Sequence, residues 1–143
     1  MSSYKLEIQP KASDFDAMGH INNVVYLQWV QDVAEAHWKH ISGKNDDEIN
    51  LWVALRHEID YKKEIKPDEK VVAETWVASM EGVKSERMTR IFNPDTEQTK
   101  AEARTFWCLL DAKTKRPKRI SEEMKRRYSP LAPKGGTGAT DLD

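Results

Sequence analysis

One change of hydrophobic period constrains this chain more than anything else in it. From about Asn23 to Ser42 the apolar residues Leu27, Val30, Ala34, Trp38 and Ile41 recur at spacings of three or four, with Gln28, Gln31, Asp32 and Glu35 between them. That spacing draws a single apolar stripe along a helix. Beyond the acidic loop Lys44–Glu48 the period becomes two. Leu51, Val53, Leu55, His57, Ile59 and Tyr61 are then expected on one face of a long strand, and Trp52, Ala54, Arg56, Glu58 and Asp60 on the other. A chain patterned this way builds its core from one helix laid against a sheet.

The remaining elements follow from turn chemistry. Tyr4-Lys5-Leu6-Glu7-Ile8 alternates and stops before Pro10, which predicts a short strand. Lys66-Pro67-Asp68-Glu69, Glu81-Gly82 and Asn93-Pro94-Asp95 are turn signals. Between them lie predicted strands Val71–Met80, Lys84–Phe92 and Thr99–Asp111, the last carrying the apolar cluster Phe106 to Leu110. Asn22 or Asn23 can cap the long helix, Lys39 and His40 suit the negative end of its dipole, and Gly43 is placed to stop it. Ser121-Glu122-Glu123 opens a short second helix. Short links favour antiparallel neighbours, so the expected class is α+β. One helix leaves much of such a sheet uncovered, and a second copy of the chain is expected to cover the rest.

Charge narrows the partners. The 143 residues hold 23 Lys and Arg against 24 Asp and Glu, a formal charge of −1, which argues against a globally basic nucleic-acid binder. A single cysteine, Cys108, cannot form an internal disulfide, and this favours a reducing compartment. The chain opens without a charged-then-apolar leader, and no apolar run approaches the roughly 18 residues needed to span a membrane. A cytoplasmic protein with no membrane partner is the expectation. From Ser129 the sequence SPLAPKGGTGATDLD offers little to bury, so one domain over residues 1–128 and a mobile tail over 129–143 are expected.

The stretch DFDAMGHINNVVY, Asp14 to Tyr26, carries the densest chemistry. It leads into the long helix, whose first N–H groups and dipole favour negative charge. An oxygen that becomes negative during reaction is stabilised at such a place. A nearby carboxylate can activate water or attack a carbonyl, and Gly19 permits an abrupt turn between Asp16 and Asn23. Asp and Asn before a helix are equally the commonest caps, and Asp-x-x-Gly is ordinary turn chemistry. The residues alone leave both readings open.

The same run resembles the signature of the hot-dog-fold thioesterases of the 4-hydroxybenzoyl-CoA thioesterase type. In them Asp-x-x-Gly-His-Val-Asn-Asn-x-x-Tyr enters the central helix. Ile59-Asp60-Tyr61, the Pro67-Asp68 turn and the run Thr105 to Pro117 extend the resemblance over residues 4 to about 128. The resemblance implies a five-stranded antiparallel sheet wrapped around one long central helix, and cofactor-free hydrolysis of an acyl-CoA thioester. It also implies a homodimer or homotetramer, with the site near the subunit interface. Asp16 takes the place of the catalytic carboxylate, and Asn23 that of the residue whose backbone N–H polarises the thioester carbonyl. Gly19, His20, Asn22 and Tyr26 complete the substrate-binding surroundings. Left open are Asp16 as general base or nucleophile, CoA or acyl-carrier protein as the thiol, and a non-catalytic acyl-CoA-binding module.

Other residues have plainer readings. His37 and His57 fall near apolar faces as hydrogen-bonded core or pocket residues, and with His40 they lack the Cys or carboxylate spacing of a metal site. Another branch of the resembled thioesterases uses a helix glutamate, but Glu35 reads as part of a solvated face. Lys113 to Arg127 holds eight cations against Glu122 and Glu123. It is a solvated face or a landing site for the phosphates of CoA or an acidic carrier protein. Trp29, Trp38, Trp52, Trp76 and Trp107 are core, interface or pocket lining.

Overall fold

Each period-two run folds back on its neighbour where a short polar turn allows it. The computed structural model describes residues 3–42 and 46–128. In chain order it has β1 (Ser3–Ile8), α1 (Asn23–Ile41), α2 (Asp46–Ile49), β2 (Asn50–Tyr61), β3 (Val71–Glu81), β4 (Lys84–Phe92), β5 (Thr99–Asp111) and α3 (Glu122–Tyr128). The strands form one sheet in the order β1-β3-β4-β5-β2, every pair antiparallel. The α+β arrangement of five strands and one long packed helix is the one the resemblance implies. Gly82, with φ +63°, opens the two-residue β3–β4 turn, where a positive φ matches the twist of the strands.

The helix lies on the sheet through Val30 and Val33, which meet Ile65, Ala73, Ile91 and Ala101 in one core cluster. Trp38 forms a second cluster with Val77, Leu109, Ile120, Met124 and Tyr128. Complete burial of each Val, Leu or Ile contributes about 1.5–3 kcal/mol. Ser121 caps α3, its Oγ accepting from the Met124 amide at 3.1 Å, and so delivers Met124 and Tyr128 to that cluster.

Three details depart from the sequence reading. The face assignment of β2 breaks at a bulge, because Ala54 pairs with Trp107 and Arg56 with Phe106, leaving Leu55 as an extra residue. One extra residue inverts a period-two pattern. Trp52 therefore packs edge-on to Trp38 at 6.1 Å before the bulge, while Ile59 joins the core after it. Leu51 and Leu55, expected to share that inner face, are exposed at 37% and 53%. The acidic loop is partly a helical turn, α2, held by an Arg127–Asp46 ion pair at 3.0 Å. Finally, α1 ends at Ile41, with the Ser42 amide donating to the Trp38 carbonyl at 2.8 Å. Gly43, read as its stop, and the tail 129–143 lie outside the described residues.

A buried ion pair ties the sheet to the turn before β3. Lys100 Nζ, on a side chain only 4% exposed, donates to the Glu69 carboxylate at 2.8 Å, the Glu64 carbonyl at 3.0 Å and Gln98 Oε1 at 2.8 Å. Glu69 also accepts from the Lys66 amide and from Asn93 Nδ2, each at 2.8 Å. Burial alone would raise the Glu69 pKa. The hydrogen bonds from Lys100, Lys66 and Asn93 outweigh it and hold the group at about 2.

Candidate active site

The segment between β1 and α1 is a loop held almost entirely by its own backbone. A 3-10 turn at Ala12–Asp14 is closed by Asp14, whose Oδ2 accepts from the Lys11 amide at 2.8 Å. Phe15 then bridges to Ile21. At the tip, the Asp16 amide donates to the His20 carbonyl at 2.7 Å and the Gly19 amide to the Asp16 carbonyl at 3.0 Å. Gly19 takes φ +80°, a conformation L residues avoid. A Cβ there would meet nothing within 4 Å, so Gly19→Ala would be strained only in its backbone. We expect that variant to lose about 1–2 kcal/mol of stability in a melt, and to lose activity through a displaced Asp16.

Asp16 is exposed at this tip. Its Oδ1 accepts from the Met18 amide at 2.9 Å and the His20 amide at 3.0 Å, leaving Oδ2 without a hydrogen-bond partner among the described residues. The His20 amide lowers the carboxyl pKa below its ordinary 3.8, burial opposes slightly, and the Met18 amide lowers it further. The group is therefore a carboxylate at neutral pH, oriented by one oxygen and free at the other.

The helix begins at once beyond the loop. Asn22 takes the N-cap position, and its amide donates to the Asp14 carbonyl at 2.9 Å, but its side chain makes no cap hydrogen bond. Asn22 and Asn23 were both possible caps by sequence; neither caps the first turn through its side chain. Among the described residues the Asn23 and Val24 backbone N–H groups have no partner, so the positive end of a 19-residue helix is open where the Asp16 loop enters it.

The other predicted residues support this corner. His20 Nε2 pairs with Glu64 Oε1 at 2.5 Å, anchoring the loop to the turn after β2. Tyr61 Oη donates to the Asn23 carbonyl at 3.5 Å. Tyr26 is 4% exposed, edge-on to Trp29 at 5.6 Å and to Tyr61 at 5.2 Å. Burial first, then the nearby Tyr61 and acids, push its hydroxyl to about 12. Tyr26 thus seats the first helical turn on the core, while Asp16, His20 and Asn23 are exposed and Gly19 and Asn22 half-buried. Glu35 is on the exposed face, 3.8 Å from Lys39.

Sequence reasoning missed a cavity of about 670 Å³ between the later turns of α1 and the sheet, lined by Gln28, Trp38, Trp52, Ser85, Arg87 and Trp107 among others. Behind the lining residue Arg87, His37 is buried, and its Nδ1 accepts from Arg87 Nη1 at 2.9 Å. Burial, with the Arg87 charge adding to it, lowers the His37 pKa to about 3, so the imidazole is neutral. The available signal was Arg87 itself. Ser85, Arg87, Thr89 and Ile91 alternate on one face of β4, and an arginine in that row points toward the helix. Among the described residues no group of three His, Cys, Asp or Glu is placed to hold a metal ion, and no helix is long and apolar enough to cross a membrane.

Solved structures with the same fold include three thioesterases. One is a 1,4-dihydroxy-2-naphthoyl-CoA thioesterase from Synechocystis, 13% identical, with 91% of this chain and 98% of that one covered and a TM-score of 0.78. Another is a DHNA-CoA thioesterase from Staphylococcus aureus, 22% identical over 92% and 91%, with a TM-score of 0.78. A third, a thioesterase from Thermus thermophilus solved with coenzyme A and Zn, is 18% identical over 92% and 95%, with a TM-score of 0.79. No curated protein matches the chain. The sequence profile of the acyl-ACP thioesterase N-terminal domain matches residues 1–128, a span that includes all the residues the structure describes. With the long helix on its antiparallel sheet, the chain belongs to that family of hot-dog-fold thioesterases.

Proposed function

We propose that the chain hydrolyses an acyl-CoA thioester to the free carboxylic acid and CoA, with Asp16 as the catalytic carboxylate. One observation carries this reading: an oriented carboxylate with a free oxygen stands at the tip of the loop that leads directly into an uncapped helix start. The Asn23 amide, with Val24 beside it, receives the thioester carbonyl oxygen and stabilises the negative charge that develops there. By one route Asp16 takes a proton from water as the water attacks the carbonyl carbon. The C–S bond then breaks, and that proton passes to the departing thiolate. By the other, Asp16 attacks, the thiolate leaves, and water cleaves the resulting anhydride. Single turnover in ¹⁸O-labelled water tests the second route: label in the Asp16 carboxylate, which arises when water attacks the aspartyl carbon of the anhydride, is a product the first route never gives.

The depressed Asp16 pKa has a kinetic consequence. A group ionised from below pH 3.8 upward loses its activity only as pH falls through that lowered value. We expect kcat/KM to show no Asp16 titration between about pH 5 and 8, and an acid limb near 6 would contradict the assignment.

Arg116 and Arg119 are exposed and without side-chain partners among the described residues, whereas Lys118 is engaged by Asn50 Oδ1 at 2.7 Å. The two arginines suit the phosphates of CoA. Converting both to Gln should raise KM for acyl-CoA several-fold and leave a small thioester without phosphates unaffected. An unchanged KM for acyl-CoA would make them a solvated surface.

The family match favours a second reading, in which the acyl group arrives on a carrier protein. Comparing kcat/KM for one acyl group on CoA and on carrier protein decides between them. Self-association belongs to either reading. β2 is a sheet edge of 12 residues and exposes Leu51, Leu55 and Tyr61, a surface suited to pairing with a second copy. Sedimentation should show a dimer or tetramer.

A further inference from the structure

The cavity beside α1 is lined by one buried cation without a counter-charge and by two indoles whose N–H groups lack acceptors among the described residues. Arg87 is 6% exposed, and among the described residues no carboxylate pairs with it. Its Nη1 donates to His37 Nδ1 at 2.9 Å and Thr75 Oγ1 at 3.1 Å, and its guanidinium lies 5.6 Å from the centre of the Tyr128 ring. These partners are neutral, so the charge is solvated but not balanced. Tyr128 is also a hydrogen-bond partner of the guanidinium. Of the residues lining the same cavity, Trp52 and Trp107 have buried Nε1 atoms with no partner among the described residues. An unpaired buried donor costs about 1–3 kcal/mol, so two such indoles beside a buried guanidinium whose charge no carboxylate balances call for an acceptor. The two acids on the helix wall of the cavity do not pair with Arg87: Asp32 accepts from Gln28 at 2.8 Å, and Glu35 lies 3.8 Å from Lys39. The near edge of the cavity, Gln28, is five residues beyond Asn23, about 7.5 Å along the helix from the proposed reaction centre.

We propose that this cavity seats the acyl half of the substrate, and that Arg87, Trp52 and Trp107 select an acyl group bearing an acceptor oxygen (hydroxyl, carbonyl or carboxylate) over a plain hydrocarbon of the same size. The assignment rests on the thioesterase reading, and it names the substrate class for that site. A site built to hydrogen-bond an oxygen discriminates against the analogue lacking it far better than an apolar pocket can discriminate by size.

The test uses matched acyl-CoA pairs of equal length, unsubstituted and hydroxy-, oxo- or carboxy-substituted, with wild type and Arg87→Met. Wild type should favour a substituted partner by at least about tenfold in kcat/KM. Arg87→Met should bring that ratio close to one. The carboxylic acid products are titrated separately by tryptophan fluorescence, which needs no turnover. If wild type cleaves no thioester yet binds the substituted acids more tightly, the hydrolase reading fails and the cavity assignment stands. If wild type cleaves both members of every pair equally, and binds both acids equally, the assignment is overturned. Should Arg87→Met fail to fold, Trp107→Phe keeps the ring and removes one donor. A several-fold loss of the ratio then supports the proposal, and an unchanged ratio contradicts it.

Discussion

Asp16→Asn should leave a folded protein whose thioester turnover is lower by about two to four orders of magnitude. Asn keeps an oxygen that can accept from the Met18 and His20 amides, the two contacts that orient the native carboxylate. The residue is exposed and contributes nothing to the core, so the melting temperature should barely move. What disappears is the ability to take a proton from water or to attack a carbonyl. Asp14→Asn is the control, because Asp14 holds only the turn through Lys11. Its kcat should stay within a few-fold of wild type. A folded Asp16→Asn variant at near-native rate would remove Asp16 from the mechanism.

The largest stability effect is expected at Glu69→Gln, roughly 3–5 kcal/mol of destabilisation in urea unfolding. The change leaves Lys100, 4% exposed in its side chain, without its counter-charge. Lys100→Met, which removes the buried charge itself, should cost less. The pair also sets an acid limit. Glu69 has a folded pKa of about 2 against an ordinary 4.5, so its contribution is fully present above about 4.5 and is lost as pH falls through about 2. Stability of wild type should decline across that window, and Glu69→Gln should flatten the decline. A Glu69→Gln melt within a degree of wild type would show the pair to be incidental.

The outline of the fold was legible because its signals are local. The helix period over residues 23–41, the turns at Gly82 and Asn93, and the strands Lys84–Phe92 and Thr99–Asp111 depend on near neighbours in sequence. The β2 bulge was not legible, since an extra residue at Leu55 is defined by its partner strand and leaves no mark in the alternation. Arg87 escaped for a different reason. Alternation treats an arginine as a sign of solvent, whereas here Thr75, His37 and Tyr128 solvate it inside the protein. At the opening stretch the residue types were visible but their roles were not. The resemblance puts Asp16 rather than Asp14 in the catalytic place, and the structure adds that Asp14 is folded into its own turn and that Asn22 stands at the cap position without capping.

The most direct test of the central claim is release of free thiol from a panel of short, long, branched, aryl and oxygenated acyl-CoA thioesters, followed with a thiol-reactive dye. Wild type should release CoA catalytically from at least one of them, and Asp16→Asn should not rise above about a hundredth of that rate. Binding of acyl-CoA by wild type with no thiol released across the panel, and none from acyl-carrier protein, would instead make the chain a binding module.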